Sequence, residues 1–242
     1  MNEYKGKIFN IEAIAKDTFR LIIKSNLQTA RSGQFVSILC NNKTLRRPFS
    51  ISDFEKISEN ESLLTVLFKV KGEGTEFLKN LKIDDKIDFL APLGNGFNIK
   101  NKNSLLVGAG IGIAPMLFLK KELNQKSIKN ILLAGFKNED EVITGYDEVK
   151  IEGSVVDDIE KTIKEKNIEI IYACGPYVVL KLINEISKKL NIEYQVAMEK
   201  VMACGIGVCR GCVIKTIKNN KETISSICKD GPVFLSNEII WE

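Results

Sequence analysis

Apolar and polar residues alternate through the first hundred positions of the chain, a pattern typical of β-strands with one buried face. The clearest stretch is SLLTVLFKV (62–70), in which one face carries Leu64, Val66, Phe68 and Val70. Similar stretches are KIFNIEAI (7–14), TFRLIIK (18–24), GQFVSIL (33–39) and IDDKIDFL (83–90). Short strands separated by turns predict an antiparallel barrel or sandwich, interrupted by one short helix that starts at EFLKNL (76–81).

After residue 100 the pattern changes to continuous apolar runs that alternate with stretches of helical spacing. The apolar runs are SLLVGAG (104–110), NILLAGF (130–136) and IEIIYACG (168–175). The helical stretches are PMLFLKKEL (115–123), VDDIEKTIKEKN (156–167) and YVVLKLINEISKKLN (177–191). Strands alternating with helices predict a parallel sheet. The remaining residues form a cysteine-rich segment with little regular pattern.

These regions predict an α+β multidomain fold class. We expect an antiparallel β-barrel domain over residues 1–99 and an α/β parallel-sheet domain over residues 100–200. A small C-terminal domain should hold the cysteines of residues 201–242.

Composition narrows the classes of function. The net charge of +4 arises from 35 basic and 31 acidic residues that are dispersed along the chain, so we expect no nucleic-acid partner. The start lacks the apolar run of a signal peptide, and no stretch has the length of a membrane helix, so we expect a cytoplasmic protein without a membrane partner. The chain has no histidine, which excludes Ser-His-Asp catalysis and imidazole ligands to zinc.

Four of the six cysteines have the spacing Cys204-x4-Cys209-x2-Cys212-x15-Cys228. This spacing is typical of plant-type [2Fe–2S] sites, in which three ligands lie in one loop and the fourth follows later. The glycines between them let the loop wrap a cluster and direct backbone N–H groups at sulfur. A structural zinc site prefers two short-spaced pairs, which fits this spacing poorly, and cysteines in the cytoplasm do not favour disulfides. We therefore predict these four cysteines as metal ligands.

Two stretches of the first region favour a flavin. RRPFSIS (46–52) offers Arg47, whose planar fork suits a diphosphate, and Ser50, whose hydroxyl can bond a flavin ring edge. KGEGTEFL (71–78) places Gly72, Gly74 and Thr75 at a helix start, where backbone N–H groups favour phosphate. Either stretch alone is also consistent with an ordinary edge strand or a capped helix.

The second region carries two glycine loops that follow predicted strands. LLVGAGIGIAPM (105–116) contains Gly108, Gly110 and Gly112, and YACGP (172–176) contains Cys174 and Gly175. Ligands bind at the carboxyl ends of parallel strands, so these loops predict one dinucleotide site. Glu139 and Asp140 after a third strand favour NAD over NADP, because carboxylates suit a free ribose hydroxyl. Cys174 is a redox thiol, a small residue beside the nicotinamide or a core residue, and no catalytic side chain is predicted.

Residues 1–200 resemble the ferredoxin-reductase-like flavoproteins. The whole chain resembles, motif by motif, the electron-transfer subunits of type B dihydroorotate dehydrogenase. The matching motifs are RRPFSI (46–51), GEGT (72–75), PLGNGF (92–97), GAGIGIAPM (108–116), ACGP (173–176), ACGIGVCRGC (203–212) and CKDGPVF (228–234). The resemblance implies that FAD is bound by Arg47, Pro48, Phe49, Ser50, Leu67, Phe68, Lys69, Gly74 and Thr75. It also implies that Cys204, Cys209, Cys212 and Cys228 hold a [2Fe–2S] cluster.

The resemblance further implies a role in pyrimidine biosynthesis. A separate FMN-containing catalytic subunit would oxidise dihydroorotate, and electrons would pass through the cluster and FAD to NAD+. The implied assembly is a heterotetramer of two catalytic and two electron-transfer subunits. The small subunit of NADH-dependent ferredoxin:NADP oxidoreductase has a similar layout, and it remains an alternative because Arg210 and Gly211 depart from the usual loop. A non-enzymatic zinc-binding module is the third alternative.

Overall fold

The computed structural model describes residues 2–40, 44–151 and 154–242 of the chain. Its first part is a closed antiparallel barrel with the strand order β1-β2-β5-β4-β3-β6. The strands are β1 (Asn2–Ala15), β2 (Thr18–Ser25), β3 (Phe35–Ile38), β4 (Arg47–Ser58), β5 (Glu61–Lys69) and β6 (Lys86–Leu93). The barrel predicted from the alternating pattern is confirmed.

The alternation along β5 divides its side chains between two different cores. Leu64, Val66 and Phe68 are fully buried inside the barrel, as the pattern predicts. Leu67 on the opposite face is also buried, because it belongs to a hydrophobic core that includes Leu106 and Ile113 of the following region. The outer face of the barrel is therefore covered where the two halves meet.

The short helix α1 (Glu73–Lys79) begins three residues before its predicted start at Glu76. The Thr75 hydroxyl accepts hydrogen bonds from the backbone N–H groups of Lys71 and Gly72 at 2.9 and 3.2 Å. Because these bonds satisfy donors that a helix start leaves unpaired, the first turn forms earlier than hydrophobic spacing alone indicates.

The second part is a six-stranded sheet with the order β14-β11-β10-β7-β8-β9. Its strands are β7 (Ser104–Ala109), β8 (Asn130–Phe136), β9 (Glu148–Ile151), β10 (Ile170–Cys174), β11 (Glu193–Ala197) and β14 (Val233–Leu235). The first five are mutually parallel, and β14 is antiparallel to β11. The longer helices that accompany them are α2 (Ile113–Gln125), α3 (Ile159–Lys166) and α4 (Tyr177–Leu190). The predicted parallel sheet is confirmed, whereas the pattern missed β9 and β11.

The expectation of little regular structure after residue 200 is wrong. This segment contains a hairpin of β12 (Val213–Lys218) and β13 (Lys221–Ser226), the short helix α5 (Ile227–Asp230) and β14. Asn219 and Asn220 form the hairpin turn with φ values of 52° and 60°. Asparagine tolerates such left-handed backbone better than most residues, and two of them match the turn that right-twisted strands require.

The C-terminal segment completes the sheet of the second part. Val233, Phe234 and Leu235 pair with β11, and the backbone N–H of Met198 donates to the carbonyl of Pro232 at 2.9 Å. The three predicted regions are thus joined by shared main-chain hydrogen bonds. Among the described residues, no helix combines the length and the apolar character that crossing a membrane requires.

Candidate functional site

A cleft of about 320 Å³ lies where the barrel, the sheet and the C-terminal segment meet. Eight of the nine residues predicted to bind FAD line it: Arg47, Pro48, Phe49, Ser50, Leu67, Phe68, Lys69 and Thr75. The ninth, Gly74, lines an adjoining hollow together with Arg47, Lys71 and Thr75. The structure therefore brings the two predicted flavin stretches to one continuous surface.

Two neighbouring barrel strands and α1 position these side chains. Phe49 of β4 meets Phe68 of β5 edge to face, with ring centroids 5.9 Å apart. Gly74 lies beside Arg47, since a Cβ at this glycine would be 3.2 Å from the arginine Cγ. The Arg47 guanidinium donates to the carbonyl of Leu45 at 2.9 Å and is partly exposed, which leaves further donors for an anion.

The sequence interpretation missed the residues that the C-terminal segment contributes to the cleft. These are Met198, Glu199, Lys200, Met202 and Pro232. They follow β11 or precede β14, two strands whose pairing brings the segment over the cleft. The run VAMEKVMACG (196–205) leads directly into the cysteine loop. Its place between the parallel-sheet region and the predicted metal ligands is the sequence feature that could have indicated a role in the site.

Cys174 lies at the carboxyl end of β10 and is only 2% exposed. Its thiol donates to a Glu199 carboxylate oxygen at 3.7 Å. Burial, with Glu199 as a second cause, raises the pKa of the Cys174 thiol well above its usual value. Glu199 is exposed to the open cleft, yet protein surrounds it on its other sides, and this desolvation raises its pKa as well. The pair is a thiol beside a carboxyl, not a reactive thiolate.

The two predicted nucleotide loops lie next to each other. Gly108 of β7 is in register with Cys174 of β10, so both strands end at the same sheet edge. Gly110 begins the turn into α2, where Ile111 and Ala114 reach the cleft. Gly175 follows Cys174 and would place a Cβ 2.8 Å from Ala109 of the other loop. This edge therefore opens toward the flavin residues.

Gly112 allows α2 to approach β10 closely. A Cβ at this position would lie 2.3 Å from the Cys174 carbonyl oxygen, which backbone pairing holds in place. We expect Gly112→Ala to cost about 1–3 kcal/mol through overpacking. That cost should lower Tm by about 2–4 °C per kcal/mol in a chain of this size.

Thermal unfolding followed by circular dichroism measures this effect. Gly72→Ala is the matched control, because a Cβ at Gly72 meets no atom within 4 Å. We expect the control to cost less than about 1 kcal/mol. Equal Tm values for the two variants would contradict the close approach.

The acidic residues after β8 are only partly available for a ribose. Glu139 is exposed, whereas Asp140 pairs with Lys16 at 2.6 Å. The adjacent Glu141, which the sequence interpretation did not single out, pairs with Lys69 at 2.7 Å. Among these three carboxylates, the exposed Glu139 fits the predicted preference for a free ribose hydroxyl best.

The four predicted metal ligands converge in two pairs. The backbone N–H of Cys209 donates to the Cys204 sulfur at 3.4 Å, and the backbone N–H of Cys228 donates to the Cys212 sulfur at 3.5 Å. Across the described ranges, no three histidine, cysteine or acidic side chains surround one point as a single metal ion requires. Two pairs fit a two-iron cluster, in which each iron takes two thiolates.

Backbone N–H groups of the loop point at these sulfurs. Gly207 donates to the Cys228 sulfur at 3.1 Å, and Cys209 donates to the Cys204 sulfur at 3.4 Å. Gly207 has a φ of +86°, and a Cβ there would lie 2.7 Å from the Lys229 side chain, so the turn requires glycine.

These donors favour the thiolate form, which is the form that binds iron. Burial raises the pKa of the Cys204 thiol, but backbone N–H groups of the loop outweigh this effect and lower it to about 6. Burial and the neighbouring Cys212 raise the pKa of Cys228 to about 12. The Gly207 N–H opposes this rise in the pKa of Cys228, because it donates to the sulfur.

The cysteine loop packs against the barrel wall of the cleft. A Cβ at Gly205 would lie 3.5 Å from the Ser37 hydroxyl and 4.0 Å from the Phe35 ring. Phe35 also lines the cleft itself. Cys209 is exposed on the other side of the loop. The loop therefore has one side toward the flavin residues and one side toward solvent.

The sequence of the chain is similar to those of known proteins. Residues 199–240 match the family model of the iron-sulfur cluster binding domain of dihydroorotate dehydrogenase B. The chain is 37% identical to the dihydroorotate dehydrogenase B (NAD(+)) electron transfer subunit of Caldanaerobacter subterraneus subsp. tengcongensis, over 98% of both chains.

Solved structures show the same architecture. A structure of NADH-dependent reduced ferredoxin-NADP oxidoreductase superimposes with a TM-score of 0.82 at 30% identity, covering 98% of this chain and 90% of the other. Ferredoxin-NADP+ reductase from Plasmodium falciparum superimposes with a TM-score of 0.62 at 22% identity, covering 82% and 96%, and shares the fold. With the near-full-length relative and the cluster-domain match, these findings show that the chain belongs to the family of electron transfer subunits of dihydroorotate dehydrogenase B.

Proposed function

We propose that this chain transfers electrons between a partner subunit that oxidises dihydroorotate and NAD+, as one step of pyrimidine biosynthesis. The observation that carries the proposal is the shared cleft, where flavin residues, the first nucleotide loop at Ile111 and the segment leading into the cysteine loop converge. When bound, FAD exchanges hydride with a nicotinamide and single electrons with a [2Fe–2S] cluster. None of these exchanges requires a histidine base.

The residues of the cleft fit FAD in type and place. Arg47 has guanidinium donors free for the diphosphate, and Lys71 adds positive charge beside it in the adjoining hollow. The partly exposed Phe49 packs edge to face on the buried Phe68 and so has a supported ring beside the cleft, and Ser50 offers a hydroxyl on the same surface. The Thr75 hydroxyl already bonds backbone groups of α1, so we assign Thr75 to shaping the hollow beside Gly74.

The cysteine loop fits a [2Fe–2S] cluster by its two sulfur pairs and its N–H donors. Cys204, Cys209, Cys212 and Cys228 would hold the irons, and the donors from Gly207 and Cys209 would stabilise the thiolate charge. The nucleotide site would use Gly108, Gly110, Gly112, Cys174 and Gly175 at the sheet edge. Its ligand would be NAD.

We also propose the domain boundaries, the subunit assembly and the cellular location. The domains are the barrel over 1–99, the nucleotide domain over 100–200 and the cluster domain over 201–242. The exposed side of the cysteine loop, at Cys209 and Arg210, is available to an FMN-containing catalytic subunit. Two copies of each subunit would form a heterotetramer in the cytoplasm, a reducing compartment that suits the free thiols.

Co-expression with an FMN-containing dihydroorotate dehydrogenase subunit tests this function. The purified complex is expected to reduce NAD+ with dihydroorotate, and either subunit alone is expected to show no such activity. Gel filtration with light scattering measures the stoichiometry in the same preparation. A complex that forms, contains all three cofactors and leaves NAD+ unreduced would contradict the proposal.

A second candidate function has support in the 0.82 TM-score to the NADH-dependent reduced ferredoxin-NADP oxidoreductase. In this alternative the chain would be the small subunit of a ferredoxin-linked enzyme. Reduction of NADP+ by reduced ferredoxin, measured with a co-expressed large subunit of that enzyme, would favour it. The same preparation should then fail to couple dihydroorotate to NAD+.

A further inference from the structure

Within the described part of the chain, three ion pairs connect the barrel with the elements of the parallel sheet. Lys16 pairs with Asp140, Lys121 pairs with Asp53, and Lys69 pairs with Glu141 at 2.7 Å. The first two lie away from the cleft, whereas Lys69 is one of the residues that line it. The Lys69–Glu141 pair is thus the ion pair of the three that reaches the candidate site.

The three pairs also differ in their exposure to solvent. The side chains of Lys69 and Glu141 are 29% and 23% exposed. Those of Lys16 and Asp140 are 60% and 47% exposed, and those of Lys121 and Asp53 are 37% and 40% exposed. Exposed pairs are screened by water and contribute little. The Lys69–Glu141 pair is the best shielded and should constrain geometry most.

Each member of this pair belongs to a different half of the site. Lys69 is the last residue of β5, the strand that also presents Leu67 and Phe68 to the cleft. Glu141 ends the short helical turn Glu139–Glu141, which begins three positions after the last residue of β8, Phe136. Strand β8 is the parallel neighbour of β7, so this turn lies at the sheet edge where a nucleotide would bind.

The turn is fixed to the barrel at a second point. The backbone N–H of Lys16 donates to the carbonyl of Asp140 at 2.8 Å. The segment 137–142 is therefore held by main-chain contact on one side and by the Lys69–Glu141 pair on the side of the cleft. Loss of the pair would remove the contact between the turn and Lys69 of the cleft, while the contacts of Asp140 with Lys16 remain.

We propose that Lys69 and Glu141 form a positioning pair that sets the distance and angle between a bound nicotinamide nucleotide and the flavin-binding residues of β4 and β5. This inference rests on the proposed function. Hydride transfer requires reacting atoms to lie about 3–3.5 Å apart, and a displacement of about 1 Å can cost about a hundredfold in rate. A partial release of the turn should therefore slow hydride transfer more than it weakens nucleotide binding.

Anaerobic stopped-flow reduction of the complete two-subunit complex by NADH tests the pair. Glu141→Gln removes the charge without touching the lining of the cleft. We expect flavin reduction at saturating NADH to slow about tenfold, with the dissociation constant of NADH changed less than about threefold. The long-wavelength charge-transfer absorbance of the NADH–flavin complex should weaken in parallel, which reports geometry independently of turnover.

The matched control is Asp53→Asn, which also replaces a carboxylate with an amide. Asp53 of the barrel pairs with Lys121 of α2. Its rate with NADH should stay within about twofold of wild type. Reduction of Glu141→Gln by dihydroorotate through the partner subunit should also be unchanged, because that electron entry does not use the turn. A Glu141→Gln rate equal to or above that of the control would overturn the inference.

A second variant and the behaviour of the wild type decide the remaining cases. If Glu141→Gln fails to retain FAD or to fold, Glu141→Asp replaces it, because this variant keeps the charge on a shorter side chain. A Glu141→Asp rate below that of wild type supports the pair, and a wild-type rate overturns it. If the wild-type complex itself is not reduced by NADH, the proposed function and this inference both fall, whereas a normal wild type with a normal variant overturns this inference alone.

Discussion

Replacing Cys228 with serine is expected to remove the iron–sulfur cluster while FAD stays bound. Cys228 lies on α5 and receives the Gly207 N–H at 3.1 Å, whereas the predicted flavin residues lie on β4, β5 and α1. A serine hydroxyl is a shorter and harder ligand that iron in such clusters binds poorly. Iron and acid-labile sulfide should fall about tenfold or more. Removal of a residue that only supports a metal ligand already lowers metal affinity about tenfold to a hundredfold, and Cys228 is itself a predicted ligand.

Cys174→Ser is the matched control, since it makes the same change in a buried cysteine outside the sulfur pairs. It should retain full iron and sulfide. Visible absorption and flavin release after acid precipitation measure both cofactors in one sample. Loss of FAD together with the cluster in Cys228→Ser would count against separate binding regions, and a colourless wild type with zinc and no iron would overturn the cluster assignment.

Arg47→Ala should weaken FAD binding by about tenfold to a hundredfold. Charge-assisted hydrogen bonds contribute about 1.5–3 kcal/mol each, and about 1.4 kcal/mol corresponds to a factor of ten. The Arg47 guanidinium faces both the cleft and the adjoining hollow, so its loss removes the arginine donors at the site assigned to the diphosphate. Fluorescence titration of the apoprotein with FAD gives the dissociation constant.

Arg20→Ala serves as the control for this measurement. Arg20 is an exposed arginine on β2 that pairs with Glu12 at 2.8 Å and does not line the cleft. Its removal should leave both FAD affinity and Tm near the wild-type values. Unchanged affinity in Arg47→Ala would refute the diphosphate role, and a large fall in Tm for that variant would instead indicate a structural role for Arg47.

The barrel and most of the parallel sheet could be predicted because their patterns are local. Strand β5 shows its buried face through a period of two within nine residues. The cysteine spacing is equally local, since three of the four ligands lie within nine positions. The Asn219-Asn220 turn was also visible, and weighing it would have revealed the hairpin.

Strand β11 could not be recognised because its polar residues are satisfied from far away in sequence. Gln195 is buried in the middle of the strand, where its amide exchanges two hydrogen bonds with the backbone of Asn98, 97 positions earlier. A polar residue at that place interrupts the apolar run that marks the other parallel strands. Because β11 was not recognised, nothing in the sequence indicated that Glu199, which follows this strand, lies in the cleft beside Cys174.

The Lys69–Glu141 pair escaped prediction for the same reason. Its members are 72 positions apart, and although the resemblance assigns Lys69 to the flavin site, no local pattern connects it with Glu141. Their meeting depends on how the barrel lies against the sheet, where Leu67 shares a buried core with residues of the parallel-sheet region such as Leu106 and Ile113. Tertiary packing, not local pattern, therefore decides which charges reach the site.

The antiparallel pairing of β14 with β11 bears on how the cluster is assembled. The two strands flank the cysteine segment 198–232 and tie both of its ends to one sheet, with Gln195 opposite Leu235. Main-chain pairing thus offsets part of the entropy of closing this excursion. Because both ends are fixed, the four thiols are held at a high effective concentration relative to one another, which favours their joint ligation of one cluster.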